Sequence, residues 1–191
     1  MTREVLFING CPRKDGVLLR SSRIFLEMLA ERGWRVEEVD LYDTRLAPCR
    51  GCLRCRENGK CILDDDASGI AKKLHKVDLV VMAAPTFFAN VPGPAKNFMD
   101  RMSGAAFDTK RRPRLSSDTG YLLLTSCGVS GFVDRISGQS AGAIRAMRTF
   151  FGMSGMRYRG SLVVTGAYQA IQSSEALRRK MLRFARGVSK R

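Results

Sequence analysis

Histidine is almost absent from this chain of 191 residues; His75 is the only one. That scarcity removes the zinc arrangement in which a cysteine knuckle is completed by histidines, and His75 itself reads as a surface residue. No apolar run approaches the roughly 18 residues of a membrane span. The opening stretch Val5–Ile8 is also too short for the apolar region of a secretory signal. A soluble, cytoplasmic protein with reduced thiols is therefore expected. Acids are scarce too, 18 against 33 Lys and Arg, which leaves a formal net charge of +15. A nucleic-acid binder concentrates its cations on one element alongside a recognised motif. Here cations gather at Lys110–Arg114 and at Arg178, Arg179, Lys180 and Arg183. The second group is interleaved with Leu177, Met181 and Phe184 at amphipathic spacing, which reads as a helix with a solvated basic face. Nucleic acid is not an expected partner, and an anionic cofactor or substrate accounts for part of the charge.

Cysteine is the residue in evident surplus. Cys49, Cys52, Cys55 and Cys61 follow one another as C-x2-C-x2-C-x5-C. Such spacing winds successive thiols round a tight turn, as a chain does around a cubane iron–sulfur cluster. No second, separate knuckle is present, whereas structural zinc more often pairs two knuckles across an intervening subfold. Cysteines three apart in a loop rarely suit disulfide geometry. Zinc and free or redox-active thiols stay as alternatives. Gly51 and Gly59 supply turn geometry. The cations Arg45, Arg50, Arg54, Arg56 and Lys60 around the thiols favour thiolates and the more negative reduced state of a cluster, or simply solvate an exposed loop.

Elsewhere, strand and helix patterns alternate. Apolar runs at Val5–Asn9, Leu79–Ala84, Tyr121–Thr125 and Ser161–Thr165, with the alternating Trp34–Leu41, predict five strands. Helical spacing is read at 21–31, around Ile70–Val77, near 94–102, at 140–151 and in the tail. This pattern predicts a single domain over 1–191, with a cysteine-rich insertion at about 45–66. Its fold class is α/β, a doubly wound five-stranded parallel sheet of order 2-1-3-4-5 with helices on both faces. Ligands of such sheets bind at the carboxyl ends of the strands, where the strand order reverses.

Three loops are expected to meet there. The first, Asn9–Gly16, offers glycines, backbone N–H groups, Arg13 and Lys14 at a helix start, with Ser21 and Ser22 in the helix, all suited to an anion. The second, Ala84–Pro94, presents Pro85, Thr86, Phe87 and Phe88, able to border a flat ligand, although a lone Phe is more often core. The third holds Ser126 and Gly128.

Taken in order, Gly10-Cys-Pro-Arg-Lys-Asp-Gly16, Cys49-Arg-Gly-Cys-Leu-Arg-Cys55 with Cys61 and Asp64-Asp65, and Ala84-Pro-Thr-Phe-Phe88 with Val91-Pro-Gly93 and Lys96-Asn-Phe-Met-Asp-Arg101 resemble the iron–sulfur flavoproteins of the flavodoxin-like NAD(P)H-dependent FMN reductase superfamily. The resemblance implies a flavodoxin-like fold, bound FMN, a compact-motif [4Fe–4S] cluster and an electron-transfer flavoprotein or oxidoreductase. It also implies NAD(P)H as a donor, small-molecule or protein electron partners, and a homodimer or homotetramer. On this likeness Cys49, Cys52, Cys55 and Cys61 ligate iron, Arg13 and Ser21 bind the FMN phosphate, and Pro85, Thr86, Phe87, Phe88, Ser126 and Gly128 flank the flavin, with Cys11 and Cys127 as small buried residues near it. Cys11 stands where the family usually has serine, and Phe87 where it has tyrosine. Val17–Leu19 reads as an insertion that moves Ser21 into the family's Thr/Ser position. A cluster-free NAD(P)H-dependent flavin, quinone or nitro reductase is the alternative within the fold. A basic metal- or redox-sensing binding protein is the alternative outside it.

Overall fold

The computed structural model describes residues 2–167 and 174–189. Five parallel strands, β1 (Glu4–Asn9), β2 (Arg35–Asp40), β3 (Leu79–Ala83), β4 (Gly120–Ser126) and β5 (Arg157–Val164), lie in the order β2-β1-β3-β4-β5. The helices are α1 (Val17–Ala30), α2 (Arg54–Asn58), α3 (Ala67–Leu74), α4 (Gly93–Arg101), α5 (Ser103–Ala106), α6 (Gly131–Ser137), α7 (Gln139–Met153) and α8 (Ser174–Ser189). This is the flavodoxin-like arrangement expected from the alternation.

Strand side chains alternate between two cores. Val5, Phe7, Val81, Ala83, Leu122 and Leu124 pack with Phe25 of α1 and Met181 and Ala185 of α8. Leu6, Ile8, Val80, Met82, Tyr121 and Leu123 pack on the opposite face with residues of α3, α4 and α7. Because the central strands are buried on both faces, they read as continuous apolar runs.

Two boundaries differ from the sequence expectation. Helix α1 opens at Val17, immediately after an extended Gly16, so Val17–Leu19 forms the first helical turn, ahead of the expected start at 21. All three side chains are buried; Val17 packs on Val164 and Leu177, and Leu18 and Leu19 join the α1/α8 core. Tertiary packing overrides the missing polar cap. Strand β5 begins at Arg157, earlier than its apolar segment. It is an edge strand whose first residues pair with β4 across an irregularity at Tyr121/Leu122, and Tyr158 lies 5.4 Å from the Tyr121 ring. Edge pairing needs backbone, not an apolar run. The short helices α2, α5 and α6 carry too few residues to show a period in sequence.

Candidate functional site

The loops that follow β1, β3 and β4 meet in one crevice at the carboxyl edge of the sheet, lined by Cys11, Arg13, Pro85, Thr86, Phe87, Ser126 and Gly128 among others. Gly10 lets the first loop cross β3 closely: its N–H donates to the Ala83 carbonyl at 2.8 Å, and a Cβ there would lie 3.1 Å from that oxygen. The Gly16 cap carries no side chain, and the first turn of α1 holds no acid. The N–H groups of Val17, Leu18 and Leu19 therefore lack intrahelical acceptors and point to the crevice end of the helix, beside Arg13. These groups suit an anion through backbone and helix dipole, with no hydroxyl required.

Opposite, Thr86 is held twice, its N–H donating to the Ser126 carbonyl at 2.7 Å and its hydroxyl 3.0 Å from that of Thr125. Phe87 and Asn90 exchange backbone hydrogen bonds at 2.7 and 2.9 Å around Phe88 and Ala89, both left-handed at φ 51° and 56°. Such a tight two-residue turn normally takes Asn-Gly. Two expected residues are placed elsewhere. Ser21 is buried one turn into α1, where its hydroxyl donates to the Val17 carbonyl at 2.7 Å, and Phe88 projects fully into solvent at the turn tip. Cys127 is also in the lining, as are Val17–Leu19, which were not legible as site residues because they look like core.

Among the described residues no carboxylate lines the crevice, and Arg13 gives that lining a positive balance. Both crevice cysteines are neutral thiols. Burial pushes Cys11 up to about 12, helped by the negative charges of Asp40 and Glu38. Burial and nearby Asp134 push Cys127 up to about 11.

A second centre lies on the excursion between β2 and α3. Cys49, Cys52, Cys55 and Cys61 all face one small cavity, walled by Leu53, Ile62, Leu63, Asp100, Arg101 and Ser103. All four are free thiols. Left-handed backbone at Gly51, Leu53 and Gly59 (φ 67°, 61° and 79°) turns the chain between them. Among the described residues no three ligating side chains stand close enough to hold an ion as placed.

The loop's base is firmly built. Arg45 N–H donates to Asp66 and Ala47 N–H to Asp65, at 2.8 and 3.0 Å, closing one stem on the other. From α4, Asn97 donates to the Leu46 carbonyl at 3.0 Å and accepts from Cys49 N–H at 3.3 Å. One helical turn on, Arg101 makes a buried two-point ion pair with Asp65, 2.7 Å at each contact. Arg114 reaches in from the basic run and donates to the carbonyls of Arg56, Glu57 and Gly104 at 2.7, 3.0 and 3.0 Å, holding the end of α2 against α5. Asn97 and Arg101 are four apart, the spacing that puts two side chains on one helix face. That spacing is the sequence signal for their shared role.

The donor chemistry suits a thiolate-bound metal: four cysteines, one cavity, and a base whose hydrogen bonds do not depend on the thiols. The crevice suits a phosphate-bearing planar group.

The sequence profile of NADPH-dependent FMN reductase matches residues 3–170. An iron–sulfur flavoprotein of Methanocaldococcus jannaschii is 38% identical over 98 residues, covering 51% of this chain and 51% of that protein. One from Methanosarcina thermophila is 34% identical over 98 residues, again 51% of each. The chain thus spans about half the length of these curated relatives. Among solved structures, an NAD(P)H:quinone oxidoreductase from Methanothermobacter marburgensis superposes with a TM-score of 0.78 at 18% identity, covering 100% of both chains. An FMN-dependent NADH-azoreductase from Bacillus anthracis, in complex with FMN, gives 0.75 at 16% identity, covering 98% of this chain and 99% of that one. These likenesses speak for the fold. The profile match runs through both centres, and the chain belongs to the NADPH-dependent FMN reductase family.

Proposed function

We propose that the chain is an FMN-dependent oxidoreductase that passes electrons between a flavin in the strand-end crevice and a compact-motif [4Fe–4S] cluster on Cys49, Cys52, Cys55 and Cys61. NAD(P)H is its candidate donor, a small molecule or protein its electron partner, and a homodimer or homotetramer its assembly. The observation that carries this reading is the meeting of three strand-end loops in a single cation-balanced crevice, with a helix start on one side and a proline- and phenylalanine-bearing loop on the other. When bound, the flavin supplies two-electron chemistry and the cluster single-electron chemistry.

Each residue then has a defined task. The Val17–Leu19 N–H groups and Arg13 would hold the phosphate. Pro85, Thr86, Phe87, Ser126 and Gly128 would border the ring system. Thr86 is oriented by Thr125 and the Ser126 carbonyl, so its peptide is fixed before a ligand arrives. Cys11 stays protonated and presents a small neutral surface, so it adds no charge beside the phosphate. Helix α4 links the two centres: the crevice loop leads into its start, and Arg101 in its closing turn touches the cysteine loop. Nine residues make that helix about 13 Å long.

Anaerobic purification with assays for flavin, iron and sulfide tests the reading. FMN at one per chain with iron and sulfide at about four each is expected. Bound flavin and NAD(P)H oxidation without iron would support the cluster-free reductase instead. Failure to bind FMN at saturating concentration would remove both.

A further inference from the structure

Of the five cations that the sequence places around the thiols, Arg45, Arg50, Arg54 and Lys60 are exposed, and Arg56 is half-buried with its guanidinium 4.8 Å from the Phe107 ring centre. Water and salt screen the exposed charges. Arg101 differs. Its side chain has no exposed surface, although it comes from a helix 40 positions beyond Cys61 in the sequence. Nη1 donates to Asp65 Oδ2 at 2.7 Å and to the Ala47 carbonyl. Nη2 donates to Asp65 Oδ1 at 2.7 Å and to Cys61 Sγ at 3.4 Å. Asp65 is itself oriented by the N–H groups of Ala47 and Ala67, at 3.0 and 3.1 Å.

This is more than closure of a loop. Asp65 and the backbone of Ala47 already join the two stems, and the fork between guanidinium and carboxylate is complete without sulfur. The outer proton of Nη2 is nevertheless aimed at the last of the four thiols. An N–H directed at a ligating sulfur fixes its orientation and withdraws electron density from it. It thereby favours whichever redox state carries more negative charge, and exclusion of water strengthens the effect. Adding one electron raises that negative charge by one unit, with no bond made or broken at Cys61.

We infer that Arg101 is a positioning residue for Cys61: locked by Asp65, its Nη2–H holds the sulfur and raises the reduction potential of the cluster there. The inference rests on the iron–sulfur reading of the loop. The buried pair sets the potential, and the exposed arginines contribute little.

The test is an anaerobic redox titration of the full, cofactor-loaded chain, following the cluster by electron paramagnetic resonance and the flavin by absorbance. The Asp65→Asn/Arg101→Gln double variant removes both charges together, so neither is left buried alone. Its iron content should match the wild type. At the potential where the wild-type cluster is half reduced, its oxidised-to-reduced ratio should rise about tenfold, a shift of about 59 mV for a one-electron couple. Arg101→Lys, which keeps the charge and an ammonium's N–H donors but not the planar fork, should fall between the two. The flavin midpoint should stay in place. Ratios within twofold of wild type in iron-loaded variants overturn the inference and leave the cluster reading intact, as does a flavin midpoint that moves in step with the cluster's. If the double variant holds no iron, Arg101→Lys decides alone by the same criterion. A wild-type chain without iron overturns the reading and the inference together.

Discussion

Gly104 and Cys55 meet backbone to backbone: a Cβ on Gly104 would lie 2.5 Å from the Cys55 Cβ and 2.5 Å from its carbonyl oxygen. Helix α5 therefore serves as the floor on which the third thiol of the cysteine loop rests. Gly104→Ala should push α2 away from α5 and cost about 1–3 kcal/mol, the usual range for overpacking. Iron retention should fall while FMN affinity holds, which metal and flavin assays on the same preparation would check. Equal iron in variant and wild type would show that α2 moves freely.

Asp65 should make the loop acid-sensitive. Burial works against its charge, but the hydrogen bond from Arg101 and those from Ala47 and Ala67 hold its carboxyl below the ordinary value. A lowered folded-state pKa contributes stability that is fully present above the unfolded value of about 3.9 and is lost as pH falls through the folded one. Asp65→Asn leaves Arg101 buried and unpaired, at a cost of about 3–5 kcal/mol. Urea titrations at pH 7 should show this gap, and it should narrow below about pH 4 as the wild type loses its own carboxylate. A gap that stayed constant with pH would contradict the assignment.

Cys11 should behave oppositely to the loop thiols. With its pKa at about 12, it remains a thiol at any pH used for labelling. In the iron-free chain at pH 8, an alkylating agent should modify exposed Cys49 and Cys52 and leave Cys11 untouched until the fold opens, as peptide mass mapping would reveal. A folded-state value raised above the unfolded value of about 8.5 also means stability is fully present below that pH and declines as pH rises toward 12. Cys11→Ala should flatten this alkaline decline. Rapid alkylation of Cys11 in the native state would show that its burial is wrong.

The turn at Phe88 and Ala89 should separate stability from binding. Ala89 sits at φ 56°, and Ala89→Gly should stabilise the fold by about 1 kcal/mol, seen as a raised Tm. Gly142, on α7, allows that turn to approach, because a Cβ there would drive into the Ala89 carbonyl oxygen. Gly142→Ala should displace the turn together with Phe87 and weaken FMN at least tenfold in a fluorescence titration. Unchanged affinity would detach this turn from the site.

Much of the fold was readable because central parallel strands are buried on both faces and so appear as uninterrupted apolar runs, Val5–Ile8 and Leu79–Ala83 above all. Much of the crevice was readable for a related reason: strand order alone places the loops after β1, β3 and β4 together, whatever their side chains. Ser21 was misplaced because a hydroxyl near a helix start looks like an anion ligand, while Val17, Leu18 and Leu19 look like anything else. The packing of Val17 on Val164 and Leu177 decided where the helix began.

The partners that the supports of the cysteine loop would hold lay beyond local reading. Asn97 and Arg101 stand dozens of positions from the backbone they hold, and Arg114 appears in sequence only as one more cation of a basic run.

By itself, the order of residues determined the alternation of strand and helix, the strand ends that would face a ligand, and the four thiols within one short loop, because periodicity and spacing are local properties of a chain. Tertiary structure alone decided which cation lies against which sulfur, which thiols stay neutral, and where α1 begins. Those outcomes depend on burial and on contacts between distant segments, and both arise only when the sheet brings those segments together.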